Sequence, residues 1–482
     1  MKDYYDIAVI GAGIGGLAAG ALLAHKGFSV AVFEAGRTPG GYCTSFRRGG
    51  YKFDTVLDAI SGCGPKGWIT RTLDQHLGVS DEVEFVRLDP LRVDVFGSER
   101  VSIPGEMPEL LDLLYSIAPS EREGILGLMT TMEEVYLTAM ATMPEVFYTD
   151  PRMEKRGGPV AKYRRLSFKD LLDDFVKDAK VRAVLSDRSA FMGLPPSKVS
   201  ALAMVIMFMT YAQGGGYRIK GGAHRLTDAL SAGLMKNGGE LFTKSPVTKV
   251  LIEDGKASGV EANGKAVRAG SVVSAIDAAR TADLAGIEQE PAGLNPSVSY
   301  FMVYLGLDRV LDVPDSMGVY PGLDIEETFA DIATDIASPR SSLEIINYSR
   351  ISPGMAPEGG TTLMLMAKAA YGYSEGWHTC KSRVMERLID KADRAVPGVR
   401  GSISVAEAAT PLTLERYTGN SHGAAFGWEQ IPGNPRTPST STVPGLYTAG
   451  HWTYPGGGIE SVTATGIVAA ELAACYLRQK SS

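Results

Sequence analysis

The first residues of the chain alternate between short apolar runs and a stretch of small residues. The apolar run at residues 6–10 predicts a buried strand, and the small-residue stretch Leu17–His25 predicts a helix. A second apolar run, Ser29–Phe33, predicts another strand. The order strand, turn, helix, strand is typical of a βαβ unit, in which the two strands are parallel.

Related patterns recur further along the chain. Residues 214–280 predict a helix followed by β-rich sequence, and residues 444–478 predict a strand, a glycine-rich turn and a helix. Residues 104–212 are helical in pattern, whereas residues 296–425 combine β-forming apolar runs with a long helical stretch. We therefore expect an α/β protein built from two domains that are discontinuous in sequence.

Composition narrows the classes of function. The chain has 482 residues, which exceeds what a single core supports, and its net charge of -7 offers no basic surface for nucleic acid. Four cysteines without CxxC spacing and the lack of an export signal favour a reducing, cytoplasmic location. The six histidines lack ligand spacing, so no metal site is predicted.

A glycine-rich turn joins the first predicted strand to its helix. Gly11-Ala-Gly-Ile-Gly-Gly16 has the GxGxxG spacing, in which the first glycine permits a sharp turn. Gly13 lets a diphosphate approach the backbone, and Gly16 lets the helix pack closely on the strand. Glu34 ends the second strand, where an acid accepts hydrogen bonds from ribose hydroxyls. This unit predicts a dinucleotide site.

FAD is the dinucleotide that the following segments favour. A second glycine turn, Gly40-Gly41-Tyr42, comes directly after the acid and carries the chain past the diphosphate, whereas an NAD domain normally continues into another βα unit. Near the C-terminus a strand ends at Gly450, and the turn before Gly458 opens a helix near Ile459. The positive end of that helix suits negative charge on a reduced flavin, although a plain glycine-capped turn would have the same sequence.

These residues resemble the family of FAD-dependent phytoene desaturases, carotenoid isomerases and retinol saturases, within the flavin amine-oxidase-like superfamily. Residues 11–34, Gly40-Gly41 and Phe53-Asp54-Thr55 match its N-terminal signature, and residues 445–462 match its C-terminal segment. Residues 220–247 resemble its second FAD segment, in which a strand backbone at Val247 pairs with the adenine. The likeness spans nearly the whole chain.

The resemblance implies a fold and a set of FAD contacts. The fold is a Rossmann-like FAD-binding domain of the GR2/amine-oxidase type, formed by residues 1–103, 214–290 and 426–482. Residues 104–213 and 291–425 form a discontinuous α+β substrate domain with a helical insert that contacts a membrane peripherally. The residues expected at FAD are Gly11, Gly13, Ile14, Gly15, Gly16, Glu34, Ala35, Gly40, Gly41, Tyr42, Val247, Gly450, Gly458 and Ile459.

Two positions depart from the family pattern. His451 stands where many related flavoproteins have Asp or Glu, and Tyr42 stands where desaturases usually have Arg. Residues 40–46 resemble the saturase branch more closely. The direction of the reaction, the electron donor or acceptor and the oligomeric state therefore stay open.

Three side chains are candidates for proton transfer beside the flavin. His451 can exchange a proton near neutral pH, although a packed imidazole is an equal alternative. Asp58 follows the predicted cofactor elements, with a solvated loop carboxylate as the alternative. Glu460 begins the last helix, where a carboxylate also stabilises the helix dipole without any catalytic role.

The resemblance also implies an apolar, isoprenoid- or polyene-like substrate whose C=C or C–C bonds are altered by hydride transfer at flavin N5. The apolar stretch Val199–Ala212 is too short to span a bilayer, and its methionines suit either a core helix or a hydrophobic channel. Two alternatives remain: an amine-oxidase-like flavoenzyme acting on a polar substrate, and a non-catalytic escort protein for prenylated partners with the same fold.

Overall fold

The structure is a computed structural model, which describes residues 1–147, 158–288, 293–435 and 437–481. The strands are β1 Tyr4–Ile10, β2 Val30–Phe33, β3 Ser45–Arg48, β4 Tyr51–Asp54, β5 Phe85–Arg87, β6 Arg92–Phe96, β7 Glu99–Ile103, β8 Tyr217–Ile219, β9 Glu240–Phe242, β10 Val247–Glu253, β11 Lys256–Ala262, β12 Lys265–Ser274, β13 Ser299–Leu307, β14 Ser316–Tyr320, β15 Leu343–Asn347, β16 Thr361–Ala369, β17 Ile403–Ala409 and β18 Leu446–Thr448.

The α-helices lie between these strands and around them. They are α1 Ile14–His25, α2 Trp68–Arg71, α3 Met107–Ile117, α4 Arg122–Phe147, α5 Gly158–Tyr163, α6 Phe168–Asp173, α7 Ala179–Ser186, α8 Ala201–Gly214, α9 His224–Lys236, α10 Ala278–Ala285, α11 Trp377–Ala395, α12 Pro411–Thr418 and α13 Ile459–Ser481.

The first sheet carries the predicted dinucleotide unit. Its order is β10-β11-β12-β1-β2-β9, and β18 also pairs with β12. Strands β12, β1, β2, β9 and β18 are mutually parallel where they pair, and β1 meets β2 in the register Ile7 to Val30. Helices α1, α9 and α13 pack over this sheet, which explains why the apolar runs of β1 and β2 are buried. The predicted βαβ unit is thus present, within the Rossmann-like fold that was predicted.

The second sheet has the order β17-β13-β16-β15-β14-β6-β7. All nine residues of β13 are buried, because α11 covers one face of the sheet and the aromatic residues of β4 lie on the other. Strands β6 and β7 belong to this sheet, since β6 pairs in parallel with β14. Residues 92–103 therefore lie in the second sheet, although the predicted boundary at residue 103 groups them with the first segment of the FAD-binding domain.

Helices α3 to α8 form the insert, as the helical pattern of residues 104–212 predicts. They enclose their own apolar core. Ser167 caps α6 in a reciprocal capping box with Asp170. Among the described helices, Ile459–Lys480 is long and apolar enough to cross a membrane by length and composition alone. It packs along α1, however, where Gly466 allows close contact with the Gly15 backbone.

Candidate functional site

A large cavity extends from the first sheet to the helical insert in the described part of the chain. Its volume is about 2810 Å³, and its wall runs from the glycine turn after β1 to the insert helix α8. Pockets for drug-sized ligands usually enclose about 300–1,000 Å³. The cavity therefore has room for a dinucleotide and for a second, elongated molecule.

The glycine turn has the backbone geometry that the sequence predicts. Gly11 adopts a φ of +91°, and its N–H donates to the Phe33 carbonyl at 2.8 Å. Gly13 is the N-cap of α1, and a Cβ built on it would meet nothing within 4 Å. Gly16 lies behind the turn, where a Cβ would overlap the Gly11 carbonyl oxygen. The N–H groups of the first turn of α1 thus face open cavity.

Glu34 is fixed at the edge of the cavity. Its Oε2 accepts from the Ala12 N–H at 2.9 Å, and its Oε1 accepts from the Gly36 N–H at 2.7 Å. Each carboxylate oxygen retains a further lone pair for a ribose hydroxyl. The side chain is half-buried, as a ribose ligand requires, and Ala35 lines the cavity beside it.

The second glycine turn lies directly against the first. The Gly40 N–H donates to the Ala12 carbonyl at 2.7 Å, and Gly40 forms a parallel bridge with Gly13. Gly40 has a φ of +120° and Gly41 a φ of +57°, which favour glycine. Tyr42 follows, and its hydroxyl lies 3.1 Å and 3.0 Å from the Gly423 and Ala424 carbonyl oxygens, to which it donates.

The C-terminal segment closes the cavity from the other side. The Gly450 N–H donates to Thr465 Oγ1 at 2.9 Å, and Gly450 approaches Gly15 so closely that a Cβ on Gly15 would lie 3.0 Å from its nitrogen. Gly458, with a φ of +103°, leads into α13. The remaining predicted cofactor residues Ile14, Val247 and Ile459 also line the cavity.

Asp58 lines the cavity but is bound by protein partners. Its Oδ1 accepts from Arg218 Nη2 at 2.8 Å, and its Oδ2 accepts from Ser316 Oγ at 2.8 Å. The side chain is buried, so the alternative of a solvated loop carboxylate is wrong. Both oxygens accept hydrogen bonds that hold the loop after β4 against the second sheet. Neither oxygen is therefore free to exchange a proton with a substrate.

Glu460 has the features of a group that holds a proton. Burial raises the pKa of its carboxyl, while hydrogen bonds from the Ser61 hydroxyl and the Trp68 N–H counteract that rise. Its Cδ lies so close to Gly62 that a Cβ there would approach to 2.6 Å. The glycine loop around Gly62 thus packs on this carboxyl at the cavity wall.

His451 is half-buried and uncharged at neutral pH. Burial lowers the pKa of its imidazole to about 4, because the charged form loses its hydration. Its Nε2 lies 3.0 Å from Asn420 Oδ1, and its ring centroid is 6.0 Å from that of Tyr42. At neutral pH the imidazole is therefore a hydrogen-bonding group and not a cation.

The bulky residues of helix α8 face either the insert core or the cavity. Met204, Phe208 and Met209 are buried in the insert core, whereas Ile206 and Met207 face the cavity. The two alternatives for this stretch, core helix and channel wall, both hold, because a helix presents a different face every half turn.

Sequence reasoning missed the partners of the three candidates: Arg218, Ser316, Ser61, Trp68 and Asn420. None stands in a motif, and each lies far along the chain from the residue it contacts. The glycines around residues 62–67 were the only local sign that a loop there packs tightly on something.

The residues present fit FAD. The open space at Gly13, the fixed carboxylate of Glu34 and the N-termini of α1 and α13 provide the amides and the acid that a dinucleotide diphosphate, ribose and flavin require.

Comparison with known proteins agrees with this chemistry. A model of the family described as flavin containing amine oxidoreductase matches residues 14–474. Prolycopene isomerase of Daucus carota is 26% identical over 99% of this chain and 81% of its own. A 4,4'-diapophytoene desaturase of Methylomonas is 25% identical over 98% of this chain and 96% of its own. The predicted resemblance to phytoene desaturases and carotenoid isomerases is confirmed.

Solved structures show the same fold. An oxidoreductase from Methanosarcina mazei matches with a TM-score of 0.69 at 20% identity, covering 96% of this chain and 99% of its own. Cyclohexylamine oxidase from Brevibacterium oxydans matches with a TM-score of 0.63 at 16% identity, covering 99% and 100%. The chain belongs to the flavin containing amine oxidoreductase family and is an FAD-dependent oxidoreductase.

Proposed function

We propose that this enzyme alters the C=C or C–C bonds of a long, apolar, polyene-like substrate, by desaturation, saturation or isomerisation. The observation that supports this proposal most directly is the cavity of about 2810 Å³, which extends from the glycine turn after β1 to the apolar wall of α8. The carotenoid-modifying names of the relatives support this substrate class. A peripheral membrane contact through the insert stays a prediction.

The glycine turns and Glu34 would hold the dinucleotide. Gly11, Gly13 and Gly15 would offer their backbone to the diphosphate, Glu34 would accept from the ribose, and the strand backbone at Val247 would pair with the adenine; all of these residues line the cavity. Gly450, Gly458 and Ile459 bring the positive end of α13 to the same cavity. When bound, FAD supplies hydride transfer at N5.

The protein exchanges the proton with the substrate and excludes water. Glu460, whose pKa is raised by burial at the cavity wall, is the candidate that can donate a proton to a substrate carbon in saturation or isomerisation, or accept one in desaturation. His451 presents a neutral ring, and Asp58 positions its loop through Arg218. Apolar and aromatic side chains along the cavity hold the substrate chain out of water.

Two methionines of α8 allow the substrate wall to be tested. We expect Met207→Ala to weaken binding of a long polyene about tenfold, because about 1–2 kcal/mol of apolar contact is lost. Met207 is half-buried and also packs against the insert core, so some stability is lost as well, but less than at a fully buried methionine. Met204→Ala, on the buried face, should instead lower the free energy of unfolding by about 2–5 kcal/mol. Substrate titration and chemical denaturation of both variants separate the two effects; equal behaviour would contradict the proposed wall.

Anaerobic flavin spectroscopy tests the substrate class. We expect polyenes to bind to the FAD-loaded protein and to perturb the flavin spectrum, with bleaching of the oxidised-flavin absorption if the substrate is oxidised and reoxidation of prereduced flavin if it is reduced. Rapid bleaching by simple amines alone would favour the amine-oxidase alternative. Purified protein that is colourless and refuses FAD would favour the escort alternative.

A further inference from the structure

Asn420 connects the segment after α12 to His451 and Trp452, near the C-terminal FAD segment. It follows α12, in the segment that leads from the substrate domain back to the FAD domain, and it lines the cavity. Its Oδ1 lies 2.9 Å from Trp452 Nε1 and 3.0 Å from His451 Nε2. One amide oxygen thus meets two neighbouring side chains of the C-terminal FAD segment.

The contact with Trp452 fixes the orientation of the amide. An indole N–H can only donate, so the atom that faces it must be the amide oxygen and not the amide nitrogen. The same oxygen can only accept from His451, which requires the proton of a neutral imidazole to lie on Nε2. Nδ1 is then left without a proton. The Ala425 carbonyl is a second acceptor for the ring, so Asn420, 31 positions away in sequence, competes with a backbone carbonyl for the imidazole proton.

The Asn420 amide nitrogen can donate a hydrogen bond to Tyr42. Loss of hydration raises the pKa of the half-buried Tyr42 phenol to about 12, and hydrogen bonds from the Thr418 and Asn420 side chains counteract that rise. With Oδ1 committed, Nδ2 is the donor available to the Tyr42 oxygen. The Tyr42 hydroxyl itself donates a hydrogen bond to the carbonyl oxygens of Gly423 and Ala424.

We propose that Asn420 is a positioning residue of the flavin site: its amide holds Tyr42, His451 and Trp452 together and keeps His451 as the Nε2–H tautomer. This inference rests on the assignment of FAD to the cavity and not on the identity of the substrate. Through Asn420, a residue of the predicted substrate domain thereby contributes one side chain to the cofactor site. Tyr42 and His451, the two positions at which this chain departs from the family pattern, are joined by that side chain.

The charged surroundings of His451 are limited. Asp277, the N-cap of α10, is the carboxylate that raises the pKa of the imidazole, an effect smaller than the opposing burial. Its Oδ1 caps α10 and its Oδ2 accepts from the Ser421 N–H, so its charge is partly offset. From the other side Tyr42 faces the ring as a neutral phenol. A new charge at Asn420 should therefore have a clear effect on His451.

The test is nitrogen-15 NMR of histidine-labelled, FAD-loaded protein between about pH 4 and 9, with His451 assigned by His451→Asn. We expect the wild type to show a neutral imidazole with the proton on Nε2 at every pH above its pKa of about 4. Asn420→Asp keeps an oxygen for both donors and adds a negative charge, so the pKa of His451 should rise by at least one unit, a tenfold gain in proton affinity. The flavin absorbance should acquire the same titration.

Asn434→Asp is the matched control, because Asn434 also lines the cavity but donates to the Glu429 carbonyl instead of contacting His451. It should leave the His451 signals unchanged. An Nδ1–H tautomer or an imidazolium in the wild type at pH 7 would overturn the proposal, even if the aspartate variant failed to fold. An unchanged titration in a folded Asn420→Asp protein would overturn it as well.

Discussion

Gly13→Ala is expected to lose its affinity for FAD while the protein folds normally. Gly13 has φ -70° and ψ 176°, a conformation that alanine adopts freely, and a Cβ there meets no protein atom within 4 Å. The methyl group would instead occupy the space through which the diphosphate approaches the backbone. An overpacked contact costs about 1–3 kcal/mol, so the Kd for FAD should rise by about tenfold to a hundredfold or more.

The measurement is a titration of apoprotein with FAD, paired with thermal unfolding of the apoprotein. Apo Gly13→Ala should be as stable as the wild type or slightly more so, because alanine restricts the unfolded chain. Gly16→Ala is the matched control: its methyl would overlap the Gly11 carbonyl, so the apoprotein itself should be destabilised. Unaltered FAD affinity in Gly13→Ala would place the diphosphate elsewhere.

Glu460→Gln is expected to lower turnover by about 100- to 10,000-fold, the usual contribution of a general acid. Glutamine preserves the size of the side chain but carries no transferable proton, and only its amide oxygen can accept the hydrogen bonds that the carboxyl receives. Because burial raises the pKa of Glu460, the carboxyl keeps its proton to higher pH than an exposed glutamate. If the reaction is a saturation or an isomerisation, the wild-type rate should therefore fall as pH rises through that raised pKa; if it is a desaturation, in which the carboxylate accepts the proton, the rate should rise through the same pKa. The residual rate of the variant should lack this limb in either case.

The control is Ser61→Ala, which keeps the acid and removes a hydrogen bond that favours its ionised form. Its pKa should rise further, so this limb of the rate profile should move to higher pH. FAD affinity should be unchanged in both variants, which separates proton transfer from cofactor binding. If Glu460→Gln turned over at the wild-type rate, the proton would have to come from another group.

Local sequence predicted the parts of the site that consist of backbone. The turn from Gly11 to Gly16 and the acid at Glu34 lie within one βαβ unit, where conformation depends on glycine positions and apolar spacing. The apolar face of α8 was predicted for the same reason. These features need no knowledge of where the rest of the chain goes.

The sequence does not predict which sheet a strand joins. Alternation of apolar and polar residues predicts that a strand exists, but its neighbour is chosen by packing. The strands β6 and β7 therefore follow the FAD segment in sequence and yet pair with β14 in the other sheet.

The sequence by itself determined the βαβ unit, the glycine turns, the FAD chemistry and the family. Only the tertiary structure decided what the candidate side chains do: it pairs Asp58 with Arg218, encloses Glu460 beside Ser61, and places Asn420 against His451. The physical reason is that backbone conformation is a local property. The charge state and the hydrogen-bond roles of a side chain depend instead on burial and on partners supplied by distant parts of the chain.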